Sequence, residues 1–267
     1  MASLGQLTSE ALAARIAFSS AQTPTADKAK ERLVRRYGDC PIEQALVLVA
    51  LGGDGYMLET LHRSLAQNKR LPVYGMNCGT VGFLMNSYYE ENLQARIAAA
   101  QLTLLYPLVM DAVSGSGQKT TALAFNEVSM LRQLRQAAKL AIFVDGQERL
   151  NQLICDGVLV STPAGSTAYN FSVHGPILPL SSNVLSLMPI APFRPRRWRG
   201  ALLPVTAHVQ IDVLERDKRP VAAVADFTEV RDVQTVSIRE DREQAVSLLF
   251  DPDKLLSERI IAEQFFV

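Results

Sequence analysis

Ala45-Leu46-Val47-Leu48-Val49-Ala50-Leu51-Gly52-Gly53-Asp54-Gly55 decides how the N-terminal part of this chain folds. An unbroken apolar run closed by glycines suits a strand covered on both faces of a parallel sheet, where neither face meets water. Leu58, Leu61 and Leu65 then recur at helical spacing, so the glycine-rich segment joins a strand to a helix. Upstream, Arg15-Ile16-Ala17-Phe18 reads as a short strand, and Ala26 to Tyr37 as a charged helix with Thr25 as cap and Gly38 as stop. Downstream, Leu71-Pro72-Val73-Tyr74-Gly75-Met76 reads as the next strand.

After about residue 100 the period becomes alternating. Val209/Ile211/Val213 and Val236/Ile238 place apolar side chains on one face, while Asp145-Gly146 and Ser114-Gly115-Ser116-Gly117 supply turns. The expected architecture is a Rossmann-like, doubly wound α/β domain over 1–100 and a β-rich domain over 101–250. The tail 251–267, with Leu255, Leu256, Ile260 and Ile261, has a helical pattern and is expected to pack back on the first domain.

The 267 residues are 48% hydrophobic and 20% charged, which excludes disorder of the whole chain. Twenty-seven basic residues balance twenty-seven acidic ones, so no long-range field gathers nucleic acid or an anionic membrane, and phosphate recognition must be local. Three scattered cysteines (Cys40, Cys78, Cys155) and three scattered histidines fit neither a disulfide framework nor structural zinc. No apolar run approaches the ~20 residues of a membrane helix, and no leader pattern opens the chain, so a cytoplasmic protein is expected. The basic run Arg194-Pro195-Arg196-Arg197-Trp198-Arg199 reads first as a solvated loop or subunit contact, and secondly as a site for nucleotide phosphates or a nucleic acid.

Four segments carry chemistry. Gly52-Gly53-Asp54-Gly55 opens a helix, where free N–H groups attract phosphate; the simpler reading is a tight turn with Asp54 as N-cap. Asn77-Cys78-Gly79-Thr80-Val81-Gly82-Phe83 follows the third strand, either as a structural loop or as a second piece of a binding edge. Asn126-Glu127 interrupts an apolar stretch, either as a strand-end turn or as a pair able to bond adjacent ribose hydroxyls. Asp156 to Ser172 runs from a strand into a hydroxyl-rich loop with an aromatic surface for a nucleobase. Ser161 and Ser166 lack the elbow of a serine hydrolase, so binding is indicated rather than acylation.

In that order, Gly52-Gly53-Asp54-Gly55, Asn77-x-Gly79-x-x-Gly82-Phe83, Asn126-Glu127 and Asp156-Gly-x-x-x-Ser-Thr-Pro-x-Gly-Ser-Thr-Ala-Tyr169 resemble the NAD kinase family. The first motif alone is shared with diacylglycerol-kinase-like and phosphofructokinase-like enzymes, whereas the last is specific. The resemblance implies that ATP, with a divalent metal, Mg²⁺, phosphorylates the 2′-hydroxyl of the adenosine ribose of NAD to give NADP. It further implies Asp54 as base and Gly52, Gly53 and Gly55 as its phosphate loop. Asn126, Glu127 and Asp156 would hold the dinucleotide, and Thr167, Ala168, Tyr169, Asn170 and Ser172 would line the adenine side, with Ala164 at its wall. Ala225-Asp226-Phe227-Thr228 resembles the family's late turn and adds Asp226 and Thr228. Tyr56, Cys78, Ala164 and Phe227 depart from the residues usual at those positions.

The resemblance also implies a homo-oligomer, a dimer or tetramer. NAD and ATP are its expected partners, with no nucleic acid and no membrane. Two other functions compete at this point: a lipid or other small-alcohol kinase sharing the Gly-Gly-Asp-Gly loop, and an NAD(P)-sensing module without turnover.

Overall fold

The computed structural model describes residues 8, 10–12, 14–67, 70–79 and 82–252, and the expected helical tail with Leu255, Leu256, Ile260 and Ile261 lies outside them. The chain divides into two compact units: the described residues up to Leu105 together with those from Gln244 onward, and Tyr106–Glu243. No described helix is long and apolar enough to cross a membrane.

The first unit is built on a mixed sheet of β1 (Ile16–Ser20), β2 (Val47–Gly52), β3 (Val73–Asn77), the short β4 (Asn86–Ser87), β5 (Gln101–Leu105) and β18 (Val246–Phe250). Along the main path the order is β1-β2-β3-β18-β5, with β4 beside β3. All neighbours are parallel except β5, which runs antiparallel to β18. Every residue of β2 is buried, as its unbroken apolar run requires. Val47, Val49 and Leu51 share a core with Leu33 of α1 (Pro24–Tyr37) and with Leu93 and Ile97 of α3 (Leu93–Ala99). The alternate residues face α2 (Asp54–Ala66): a Cβ at Gly52 would lie 2.8 Å from Tyr56 Cβ, and one at Gly75 would collide with Met57 Cε. Helices therefore cover both faces, as the doubly wound reading expects.

The cap of α1 is Thr23 rather than Thr25: its hydroxyl accepts the Ala26 N–H at 3.3 Å, and Pro24 takes the first helical position. Proline lacks the N–H that would go unpaired there and has its φ preset, so the signal was Thr-Pro, one turn earlier than the charged residues. Gly38, at φ 77°, ends the helix as expected.

The unit boundaries also differ from the change of period. β5 and β18 fall within the expected 101–250 domain, yet both complete the first sheet, with Val246 opposite Leu105. The end of β18 is fastened by a buried polar cluster. Tyr74 donates its hydroxyl to Asp251 at 2.5 Å, Arg96 donates to the other Asp251 oxygen at 2.5 Å, and the Asp251 N–H donates to Asn86 Oδ1 at 2.9 Å. Burial raises the Tyr74 hydroxyl well above its ordinary value and keeps it a donor.

The second unit contains two antiparallel sheets of six strands each. One orders β10 (Gln147–Cys155), β9 (Ala138–Val144), β14 (Val209–Val213), β17 (Val233–Glu240), β6 (Leu108–Ser114) and β7 (Lys119–Ala124). The other orders β13 (Ala201–Pro204), β12 (Val184–Ile190), β11 (Gly157–Ser161), β8 (Glu127–Arg132), β15 (Val221–Ala225) and β16 (Thr228–Val230). One core joins them, drawing Ile211 and Val236 from the first and Val158 and Leu185 from the second. Asp145 and Gly146, at φ 53° and 74°, make the two-residue hairpin between β9 and β10.

Candidate functional site

In the first unit the glycine-rich segment passes from β2 into α2 with Gly53, not Asp54, as N-cap. Asp54 occupies the first helical turn, and its carboxylate accepts the Phe83 N–H at 2.8 Å and the Leu84 N–H at 2.9 Å. An N-cap serves its own helix, whereas Asp54 ties the helix start to the turn after Gly82. The glycines separate into two kinds. Gly52 is required by the Tyr56 ring, but a Cβ at Gly53 or Gly55 meets open space and neither residue has a positive φ. Nothing in the described fold demands glycine at 53 or 55, which leaves free backbone at a helix N-terminus. Cys78, next to the loop through its N–H bond to the Gly52 carbonyl at 2.7 Å, has its thiol raised by burial and remains a neutral packing group.

In the second unit four sequence-predicted residues come together. Asp226 turns from β15 to β16 at φ 51°, and its two oxygens accept the Phe125 and Asn126 N–H groups at 2.7 and 3.0 Å. Asp226 itself holds the left-handed conformation of the turn, and Phe227 after it stands exposed. Beside Asp226, Glu127 is pushed up to about 7, first by burial and then by the Asp226 charge, with an opposing hydrogen bond from the Tyr169 backbone. Its Oε2 is buried without a partner. Across the hairpin, Thr228 pairs with Ala225.

Thr162, which the sequence reading passed over, knits the loop together. Its hydroxyl donates to the Phe125 carbonyl at 2.5 Å and accepts the Gly165 N–H at 3.1 Å, while its own N–H donates to the Asn126 carbonyl at 2.9 Å. The signal available was the Thr-Pro-x-Gly spacing, since a hydroxyl three residues before an N–H commonly caps a turn. Ala164 and Thr167 follow on the single turn Ala164–Thr167, and Ala168 joins it to α4 (Tyr169–Ser172). Asn170, expected on the adenine side, is wholly buried, with its amide donating to the Ser166 and Pro176 carbonyls at 3.2 and 2.9 Å while its Oδ1 has no partner.

Tyr169 and Asp156 share a cleft of about 850 Å³ with Arg132, Arg135, Ile190 and Lys218. Arg132 donates to Asp156 at 2.5 Å and to the Leu134 carbonyl at 2.6 Å, fixing the carboxylate within the cleft. The Tyr169 hydroxyl is raised by burial, then by the charges of Glu127 and Asp156. Ser172 lines a neighbouring cavity that shares Ile190 with this cleft. Among the described residues no three His, Cys, Asp or Glu side chains converge as a metal cage.

The raised Glu127 has a consequence for stability. The folded state holds a proton that the unfolded state releases near 4.5, so stability falls as pH rises from about 4.5 to about 7, and the loss is complete above that. Glu127→Gln, which needs no proton, is expected to flatten this slope and to stabilise the protein at pH 8 by roughly 2–3 kcal/mol. Denaturant titrations at pH 5 and pH 8 check it; equal stability of the two proteins at pH 8 contradicts the upward shift of Glu127.

The ATP-NAD kinase N-terminal domain family matches residues 5–103, and the ATP-NAD kinase C-terminal domain family matches residues 125–243. The chain is 56% identical over 251 residues to an NAD kinase of Caulobacter vibrioides, covering 94% of this chain and 96% of that one. It is 55% identical over 253 residues to an NAD kinase of Xylella fastidiosa, covering 95% and 96%. Two solved structures share the fold: a yeast NADH kinase complexed with NADH (TM-score 0.78, 20% identity, 93% of this chain and 86% of that one) and an NAD kinase from Archaeoglobus fulgidus in complex with ATP (TM-score 0.73, 23% identity, 93% and 99%).

Proposed function

The chain belongs to the ATP-NAD kinase family, and from that premise we propose how its own residues transfer a phosphoryl group from ATP to the 2′-hydroxyl of the adenosine ribose of NAD, giving ADP and NADP. The observation that carries the activity is the high identity to named NAD kinases through both units, which the lipid-kinase and sensor readings leave unexplained. Phosphoryl transfer asks chiefly for positioning and charge neutralisation. Asp54 accepts the hydroxyl proton, held in place by the Phe83 and Leu84 amides. Free N–H groups around Gly53 and Gly55 receive phosphate oxygens.

In the second unit, Asn126, Glu127, Asp156 and Tyr169 hold the dinucleotide. Ala164, Thr167 and Ala168 shape its wall, and Asp226 fixes the Phe125–Asn126 backbone on which that grip depends. The divalent ion, Mg²⁺, enters as part of the ATP complex and belongs to the substrate. We place the enzyme in the cytoplasm, in keeping with its three free cysteines, and as a homodimer or homotetramer.

The glycine assignment makes a separate test. Gly55→Ala removes a helix-weakening glycine where there is room for a methyl group, so stability should hold or rise by up to about 1 kcal/mol. The same methyl group stands where phosphate approaches, and KM for ATP should rise severalfold. An unchanged KM for ATP takes the phosphates away from this loop. The activity itself is tested by offering NAD, NADH and a diacylglycerol separately with ATP and Mg²⁺. ADP release that requires NAD and yields a product of NADP mass supports the reading; release only with the lipid, or none with NAD, overturns it.

A further inference from the structure

Three connections of the second unit meet at one end of the sandwich: the turn from β6 to β7, the segment from β14 to β15 and the turn from β16 to β17. Between them lies a cavity of about 490 Å³ that shares no lining residue with the Asp156–Tyr169 cleft. Arg216 and Arg231 bring positive charge to its lining, Ser114, Ser116 and Gln118 bring neutral polar groups, and Asp217 and Asp232 bring carboxylates. Among the described residues Pro220 is the one apolar side chain on this lining, so no aromatic or branched aliphatic group is present to receive a nucleobase.

Both arginines are held in place with donors to spare. Arg216 lies against the β6–β7 turn: a Cβ at Gly115 would stand 2.5 Å from its Nη1, so the glycine leaves the space that the guanidinium occupies. Its acidic partner is Asp217, at 3.3 Å and with a side chain 91% exposed, a pair that water screens. The backbone around Arg216 is braced by Glu215, which pairs with Lys139 and with Arg219 and whose carbonyl accepts the Lys218 and Arg219 N–H groups at 2.9 and 3.0 Å. Arg231 engages only its Nε, with Glu229 at 3.3 Å and with the Gln133 amide oxygen at 3.1 Å, in the amide orientation that also lets the Gln133 nitrogen donate to Asp232 at 2.8 Å. The Gly115 N–H donates to the Asp232 carbonyl at 2.8 Å and ties two of the three connections together. Two guanidiniums with free nitrogens recognise a doubly charged oxyanion. Carboxylates on the same lining oppose a bare anion but accept hydroxyl protons, so the mixture fits a molecule with a phosphate at one end and hydroxyls along the rest. The volume has room for such a molecule.

We propose that this cavity binds a phosphorylated sugar or polyol, its phosphate on Arg216 and Arg231 and its hydroxyls on Asp217 and Gln118. The proposal does not depend on the roles assigned to the kinase residues. The experiment is calorimetric titration of the full-length protein with glucose 6-phosphate, and in parallel with glucose, inorganic phosphate and AMP. It is run on the wild type, on the wild type saturated with NAD, on Arg216→Gln and on Gly115→Ala. The expected result is saturable binding of glucose 6-phosphate, weaker by about tenfold or more for the other three probes and in Arg216→Gln, as loss of charged hydrogen bonds implies. Gly115→Ala should also weaken it with urea stability unchanged, since the new methyl group displaces the free end of a flexible side chain and leaves its charge in solution. NAD should leave the binding unchanged. The proposal is overturned by no binding up to about 10 mM glucose 6-phosphate, by equal affinity for any of the other probes, or by Arg216→Gln or Gly115→Ala binding as the wild type does. Displacement by NAD assigns the binding to the other cleft and overturns it equally.

Discussion

Asp54→Asn is expected to fold and to bind NAD within a few-fold of the wild type, yet to turn it over about 10²–10⁴-fold more slowly, the range a positioned general base contributes. The structure adds a second effect. Both carboxylate oxygens accept backbone N–H groups, from Phe83 and Leu84, whereas an asparagine has one oxygen and would turn its own donors toward the other amide. The unpaired amide costs roughly 1–3 kcal/mol of stability. Turnover and thermal stability should therefore both fall, and they report different things. A defect that is instead mainly a raised KM for ATP, corrected by more ATP and metal, makes Asp54 an orienting group for the phosphates. Turnover near the wild-type rate at saturating ATP and metal removes it as the base.

Gly165→Ala is expected to have a large effect on both stability and NAD binding. A Cβ there would overlap the Asn126 carbonyl and lie 2.5 Å from Asn126 Cα, which is backbone and cannot swing aside. The Asn126 carbonyl is held from the other side by the Thr162 N–H, and the Asn126 N–H by Asp226, so a shift breaks bonds on both sides of the strand end. A loss of about 3 kcal/mol, at the upper end of overpacking, should accompany a raised KM for NAD, because Asn126 and Glu127 move with that backbone. Urea titration and NAD saturation curves measure the two together. Gly165→Ala with wild-type stability and KM would mean that the loop and the strand end relax independently.

The parts of the fold legible in the sequence were those written in local periods. The buried run of β2, the helix after it and the Val209/Ile211/Val213 alternation each depend on residues a few positions apart. β5 and β18 were expected in the β-rich domain because nothing local says which sheet takes a strand, and their pairing joins residues 101–105 to residues 246–250. The site divides in the same way. The motifs pointed to Asp54, Glu127, Asp156, Tyr169 and Asp226, whose residue types stand out where they occur. Their fastenings were hidden: Asp54 to the Phe83–Leu84 amides and Asp226 to the Phe125–Asn126 amides are carboxylate-to-backbone bonds, and a backbone donor has no letter of its own. The bracing bonds of Asn170 were hidden too, since an amide side chain in a polar loop looks the same in sequence whether or not it also bonds the loop from within.

The place of β18 sets an order of events during synthesis. It lies between β3 and β5, so the first sheet lacks an interior strand until residues 246–250 have been made. By then every strand of the sandwich, from Leu108 to Glu240, has left the peptidyl-transferase centre. Domains form as units while the chain grows, and the usual sequence begins at the N-terminus. Here the later-encoded unit can close first, while β3 and β5 wait with unpaired edges open to other chains. The last described strand is thus the one that ends this exposure of β3 and β5 to aggregation.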